Sequence, residues 1–224
     1  MTLLSEELYD LSAAIRQETA SRLQRVLDQF VESLRRQHAS ERSLQIGDRV
    51  PDFTLKDQQQ RPLRLYERLE QGPVILVFFR GGWCPYCNLT LRAWHYALPD
   101  IEFLGSQLVA VTPENPTQVR HTVEKNKLDF PVLHDIHSEV AREFGISVAL
   151  SSYMAAFYRS LGLNLSRRNA DVLARLPLPA TYVIDRQGIV QYAFVEEDYT
   201  QRAEIADVMR VLEHVQEEMV PSYG

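Results

Sequence analysis

Apolar positions recur every three or four residues over the first stretch of the chain. Leu4, Leu8, Leu11 and Ile15 follow this spacing, as do Leu23, Val26, Leu27, Phe30, Val31 and Leu34, and no Gly or Pro interrupts residues 3–38. The pattern predicts one long helix or two helices carrying an apolar stripe. The main domain must cover that stripe or a second copy of the chain must, so a homodimer is one expectation. After Gly47 the pattern changes. Val50 to Leu55 and Leu63 to Leu65 read as short strands around the polar turn Lys56 to Gln60. Val74 to Phe79 is a continuous apolar run, as expected of a central strand buried on both faces. A helix should begin near Cys84, with Leu91, Trp94, Leu98 and Ile101 on its inner face and Pro99 kinking or splitting it.

Leu108 to Val111 reads as the next strand, Glu114 to Lys127 as a helix, Phe130 to Leu133 as a short strand, and Ser138 to Phe144 as a helix ended by Gly145. Residues 147–178 break the alternation, with helical patterns at Ser151 to Leu161 and Arg167 to Leu176. Thr181 to Asp185 and Ile189 to Val195 flank Arg186-Gln187-Gly188 as a hairpin. A last helix is expected from Gln201 to Met219, with Ile205, Val208, Met209, Leu212 and Val215 as its stripe. The order βαβα, then hairpin, then helix, predicts an α/β domain of thioredoxin-like fold, a central mixed sheet flanked by helices. The expected division is a helical extension at 1–43 and the thioredoxin-like domain at 44–224, with a helical insertion at about 147–178.

Composition narrows the function classes. At 224 residues the chain can bury a substantial core, and 45% hydrophobic with 24% charged residues is ordinary for a globular protein. A net charge of -6 supplies no basic excess for phosphates, so no nucleic-acid partner is expected. No apolar run approaches the roughly 20 residues of a membrane helix. The N-terminus carries Glu6 and Glu7 where a signal peptide carries basic residues. A cytoplasmic protein without a membrane partner is the expectation. No Gly-x-Ser-x-Gly elbow or phosphate-binding glycine loop is present, so hydrolase chemistry finds no support.

The two cysteines change the picture most. They stand as Cys84-Pro85-Tyr86-Cys87, between the apolar strand and the following helix. Only about 3% of an ordinary cysteine is thiolate at neutral pH, and the thiolate is the reactive form. A helix N-terminus supplies unpaired amide donors and partial positive charge that stabilise it. Lowering the pKa by two units takes about 2.7 kcal/mol. Pro85 suits the first helical position, where its missing N–H costs nothing. Arg80 adds positive charge nearby. Gly81 and Gly82 let the backbone turn and leave room above the sulfur, and Trp83 and Tyr86 flank the mouth. One turn apart, the sulfurs can divide the work: an exposed Cys84 attacks and a more buried Cys87 resolves. Zinc binding with His134 and His137 is a rival reading, as are inert cysteines. Pro179, just before a strand, is a candidate cis proline close to the dithiol. Tyr153, Met154, Phe157 and Tyr158 form a stripe that either roofs the site or belongs to the core.

The strings Phe79-Arg80-Gly81-Gly82-Trp83-Cys84-Pro85-Tyr86-Cys87-Asn88-Leu89, Pro179 to Asp185, Phe194 to Arg202 and Gly47 to Leu55 together resemble the bacterial peroxiredoxin-like proteins. These form part of the alkyl hydroperoxide reductase/thiol-specific antioxidant group of the thioredoxin superfamily. The resemblance covers about residues 44–219. It implies a thioredoxin fold, antioxidant or thiol oxidoreductase activity, Cys84 as the attacking cysteine with Cys87 as its partner, and Pro179 as the superfamily's cis proline. The chain departs from the typical Pro-x-x-x-Thr/Ser-x-x-Cys pattern. Three positions before Cys84 stands Gly81, and three before Cys87 stands Cys84 itself. Thioredoxin's buried acid corresponds to Phe78, and close relatives often carry Glu where this chain has Thr90.

The expected activity is a thiol-dependent antioxidant oxidoreductase. It would reduce hydroperoxides through a dithiol/disulfide cycle, with no cofactor or metal, and an external thiol of thioredoxin, glutaredoxin or glutathione type would restore the dithiol. A disulfide oxidoreductase acting on a disulfide substrate is the rival enzyme. A redox-responsive binding module whose N-terminal helices dock elsewhere is the rival of another class.

Overall fold

A computed structural model describes residues 3–217. In chain order the elements are α1 (Leu4–Glu18), α2 (Ser21–Arg36), β1 (Thr54–Lys56), β2 (Pro62–Arg64), α3 (Leu65–Leu69), β3 (Val74–Phe78), α4 (Pro85–Phe103), β4 (Gln107–Thr112) and α5 (Pro116–Asn126). Then follow β5 (Val132–His134), α6 (Glu139–Glu143), β6 (Ser147–Val148), α7 (Ser152–Ser160), α8 (Leu165–Arg168), β7 (Leu176–Pro177), β8 (Ala180–Ile184), β9 (Val190–Val195) and α9 (Ile205–Glu217). Seven strands form one mixed sheet in the order β2-β1-β5-β4-β3-β8-β9. The central β3 lies parallel to β4, with Val77 opposite Ala110, and antiparallel to β8, with Val77 opposite Thr181. All five residues of β3 are buried, as its unbroken apolar run requires.

Alternation along β3 serves two cores. Ile75, Val77 and Phe79 face α1, α4, α5 and α9, whereas Val74, Leu76 and Phe78 face α3, α6 and Leu34 of α2. Phe78 lies edge-on to Tyr182 and tilted against Phe144. A third apolar cluster joins Met154, Phe157, Tyr158 and Leu165 of the insertion to Leu23, Val26, Leu27 and Phe30 of α2. The apolar stripe at the N-terminus therefore belongs to two helices and is covered within the chain. α1 buries Leu4 and Leu8 against the α4 side, and α2 lies under the insertion. The stripe does not call for a second copy.

Several elements differ from the sequence expectations. α4 runs through Pro99 without a break. Pro99 is exposed, so the carbonyl its ring leaves unpaired can be met by water. The expected helix from Arg167 to Leu176 stops at Arg168. There the Asp171 carboxylate accepts the Leu173 and Arg175 amides, and Ala170 and Ala174 adopt positive φ, which a helix cannot hold. The chain then returns as β7, which pairs with β6 and closes the neck of the insertion. α9 begins at Ile205 rather than Gln201, because Asp198 ties the Thr200 amide and hydroxyl into a turn. Met219 lies outside the described residues.

Candidate active site

Cys84 is the last extended residue before α4, at φ -86 and ψ 119, and Pro85 takes the first helical position with its ring exposed. The strand-to-helix junction therefore forms as the sequence predicts, with Cys87 one turn inside the helix. The loop before it is held from both sides. Glu114, fully buried, accepts the Gly82 amide at 2.8 Å, the Thr122 hydroxyl at 3.2 Å and Arg168 at 2.8 Å. On the other side Asn88 donates to the Gly82 carbonyl at 2.9 Å, and Asn126 donates to Asn88 at 2.9 Å. A Cβ at Gly82 would sit 2.0 Å from Thr122 Oγ1, and Gly81, at φ +144, lies beneath the Trp83 ring. The two glycines are thus needed for close packing and backbone shape rather than for open space above the sulfur.

Both sulfurs lie inside the molecule. Cys84 is 1% exposed and Cys87 is fully buried. The exposed Cys84 expected from the sequence is not found: Cys84 lies in the apolar cluster that holds Leu4 and Leu8 of α1 with Trp83, Tyr86 and Tyr199. Tyr86 and Tyr199 meet edge to face at 5.7 Å, and Tyr158 of α7 meets Trp83 in the same way at 5.5 Å. Tyr158 is therefore the part of the aromatic stripe that roofs the site. Met154 and Phe157 belong to the cluster with α2, and Tyr153 is exposed. Beyond Tyr86 and Tyr199, a cavity of about 420 Å³ opens between α1 and α2.

Two arginines frame the dithiol. Arg80 is 3% exposed, and its guanidinium sits 4.4 Å from the Tyr199 ring, 5.0 Å from Trp83 and 5.8 Å from Tyr158, while donating to the Tyr158 hydroxyl. Arg202, 9% exposed, donates through Nη1 to the Gln201 and Tyr199 carbonyls and through Nη2 to Cys87 Sγ at 3.5 Å. Among the described residues neither guanidinium has a carboxylate within ion-pair distance. Buried charge without a counter-charge is costly. Glu197 shares a crevice with Arg80, and the Cys87 sulfur is the group Arg202 contacts. Burial alone would raise the Cys87 pKa. A hydrogen bond from the Cys84 thiol, the charges of Arg202 and Arg80 and the Arg80 backbone amide outweigh burial and bring it down to about 5. Cys84 moves the other way: it gives its hydrogen bond to Cys87, is buried, and faces the Cys87 charge, so it holds its proton. Burial likewise opposes the Arg80 cation, but Tyr158 and the two thiols more than offset that and raise its pKa.

Pro179 is buried just before β8 and shares a narrow crevice with Arg80, Glu197 and Tyr199. Its peptide bond is trans, as are all peptide bonds among the described residues, so the cis proline expected there is corrected. Thr90 turns its hydroxyl back to the Tyr86 carbonyl at 2.8 Å. His134 lies on β5, its ring against Gln60, and among the described residues no three His, Cys, Asp or Glu side chains gather as a metal site. Arg202, Tyr199 and Glu114 are site residues that the sequence reading did not single out. Arg202 and Tyr199 close the Phe194 to Arg202 string, and that was their only signal.

The AhpC/TSA family profile matches residues 46–193. The chain belongs to the AhpC/TSA family. Among its relatives, a chloroplastic peroxiredoxin Q of Oryza sativa subsp. japonica is 23% identical over 167 residues, covering 75% of this chain and 66% of that protein. The chain thus spans just under two thirds of that relative's length. A chloroplastic peroxiredoxin Q of Sedum lineare is 26% identical over 148 residues, with 66% of this chain and 67% of that protein covered. Among solved structures, peroxidoxin BcpB from Mycobacterium tuberculosis superposes with a TM-score of 0.61 at 22% identity, over 79% of this chain and 99% of that one. The peroxiredoxin 6 of Arenicola marina gives a TM-score of 0.62 at 15% identity, over 77% of this chain and 74% of that one. These superpositions support the thioredoxin-like fold of this AhpC/TSA member. Its departures lie around the dithiol: Cys84 stands where the typical pattern counted back from Cys87 has a hydroxyl, and Arg80 where it has proline.

Proposed function

We propose that the protein is a thiol-dependent peroxidase that reduces hydroperoxides through a Cys84–Cys87 dithiol/disulfide cycle. The observation that carries this reading is the buried Arg202 guanidinium 3.5 Å from Cys87 Sγ, one helical turn from the second free cysteine, Cys84. In this arrangement Cys87, rather than Cys84, is the attacking sulfur. Arg202 contacts Cys87, and the Cys84 thiol is its hydrogen-bond donor. The Cys87 thiolate attacks the terminal oxygen of the hydroperoxide, the O–O bond breaks, and the alkoxide leaves with a proton from solvent as the alcohol. Cys87 is then a sulfenic acid. The Cys84 sulfur attacks it, the S–O bond breaks, and the thiol proton leaves with the hydroxyl as water. An external thiol restores the pair, and a reducing compartment such as the cytoplasm suits that step.

Closure over the site favours a small peroxide over a protein disulfide, which has no path to buried sulfur until the roof moves. The rival disulfide oxidoreductase keeps the support of its Cys-Pro-Tyr-Cys string at a helix start. The binding-module reading loses its docking helices, since α1 and α2 are packed on this chain. Stopped-flow mixing of the reduced protein with hydrogen peroxide separates the enzymes. The expected result is oxidation about thirtyfold faster than an ordinary thiol's at neutral pH, the gain that full ionisation of Cys87 gives over a thiol about 3% ionised. Oxidation no faster than that of a free thiol would reject the peroxidase.

A further inference from the structure

Away from the dithiol, a cavity of about 610 Å³ opens between the start of α1, one face of α4 and the start of α9. Its lining on α4 comes from Leu89, Arg92, Ala93, Tyr96, Ala97 and Asp100, which share a single helical face. At 1.5 Å per residue they span about 16 Å, so the space is a trough along the helix. Ala93, Ala97 and Ala206 leave the room, and Leu4, Ile205 and Met209 make the other walls apolar. Size and lining are those of a small-molecule site. The charged groups around it do not balance. Glu204 is occupied by the Leu4 and Ser5 amides at 3.2 and 2.6 Å. Arg92 donates to the Asn126 side-chain oxygen at 3.0 Å, and Asn126 is not on the wall. Glu7 and Asp100 are exposed, and among the described residues no cation stands within ion-pair distance of either. Asp100 ends the α4 stripe, whereas Glu7 also lines the neighbouring cleft with Asn88, Leu89 and Arg92, so the two carboxylates lie toward opposite ends of the trough.

We propose that this trough binds a small amphiphile with a cationic head, of the long-chain amine class, with its chain against the alanines and its ammonium beside one of the two free carboxylates. The chain supplies the affinity by leaving water, and the head supplies the selection. A carboxylate head would meet two unpaired acids and one guanidinium already engaged. A neutral head would gain apolar burial alone. The site is separate from the dithiol cycle, since Cys84, Cys87, Arg80 and Arg202 are all absent from its lining. It reaches the cover of the dithiol through Leu4, which belongs both to the cavity wall and to the apolar cluster that holds Cys84. An occupant that touches α1, α4 and α9 together stabilises the seated α1 by mass action.

The test uses N-phenyl-1-naphthylamine, an uncharged probe whose fluorescence rises in apolar surroundings, with the full reduced chain at neutral pH. Decylamine, decanol and decanoate, each below its micelle-forming concentration, are then added as competitors. The expected order is amine, alcohol, carboxylate. Decylamine should displace the probe at roughly a tenth of the decanoate concentration, the scale of one surface ion pair gained against one like-charge contact suffered. Glu7→Gln combined with Asp100→Asn should close that gap and leave probe uptake intact. Ala206→Trp, at an exposed position, should fill the trough and abolish uptake with an unchanged urea midpoint. Equal displacement by all three competitors, or a lead for decanoate, would overturn the proposal. So would uptake that survives Ala206→Trp, because the probe would then sit elsewhere. No uptake by the parent would overturn it too, including the case in which a second copy fills the trough and the chain sediments as a dimer.

Discussion

Cys87 differs from an ordinary cysteine because of what points at it, and the consequences can be measured. Cys87→Ser should abolish the rapid reaction with peroxide. Cys84→Ser should still consume one equivalent and stop at a sulfenic acid on Cys87, read as a mass gain of one oxygen. The opposite pattern would restore the roles expected from the sequence. The charge also has a pH signature. The folded Cys87 pKa lies below its ordinary 9.0, at about 5. A depressed pKa means the folded state binds fewer protons than the unfolded state in that window, so stability rises with pH there. The contribution is complete above about 9 and is lost as pH falls through about 5. The stability difference between the reduced parent and Cys87→Ser, measured by urea unfolding, should therefore widen in the parent's favour from pH 5 to pH 9. A pH-independent difference would mean that Cys87 is not ionised in the folded protein.

At the level of elements, the loop from β3 to α4 is held by parts of the chain distant in sequence. Arg168 of α8 neutralises Glu114, and Glu114 holds the Gly82 amide. Arg168→Ala leaves a buried carboxylate with two neutral donors. It should cost about 2 kcal/mol, less than a fully orphaned buried charge because those donors remain. Gly82→Ala drives a methyl into Thr122 and should cost about 1–3 kcal/mol. Both are checked as a lower urea midpoint with an unchanged slope. Much of the element pattern was legible from apolar spacing: β3, β4, β8, α4, α7 and the paired N-terminal helices all follow it. Where the reading failed, side chains had captured the backbone. Asp171 ended α8 early, and Asp198 delayed α9. Such local hydrogen bonds leave no periodic trace.

For the whole molecule the issue is access. The dithiol lies below Tyr86, Tyr199 and Trp83, with α1, α2 and the insertion around them. Alkylation of the reduced native protein by iodoacetamide should therefore be slow for so acidic a thiol, limited by opening of the cover. Tyr86→Ala should raise the rate roughly tenfold by removing one side of the door, as followed by mass spectrometry. If the rate is unchanged, small molecules reach the sulfurs by another route.

The sequence by itself determined the chemistry available and its local setting. A dithiol one turn apart, at the start of a helix after a buried strand, follows from residue order, because strand and helix periodicities and the place of proline are local properties. Tertiary structure alone decided which charges surround the two sulfurs and what covers the pair. Arg202 lies 115 positions from Cys87, and Glu114 and Tyr158 reach the loop from other elements. A guanidinium reads the same in sequence whether it lies in water or beside a sulfur, and only burial turns it into the force that sets a thiol's pKa.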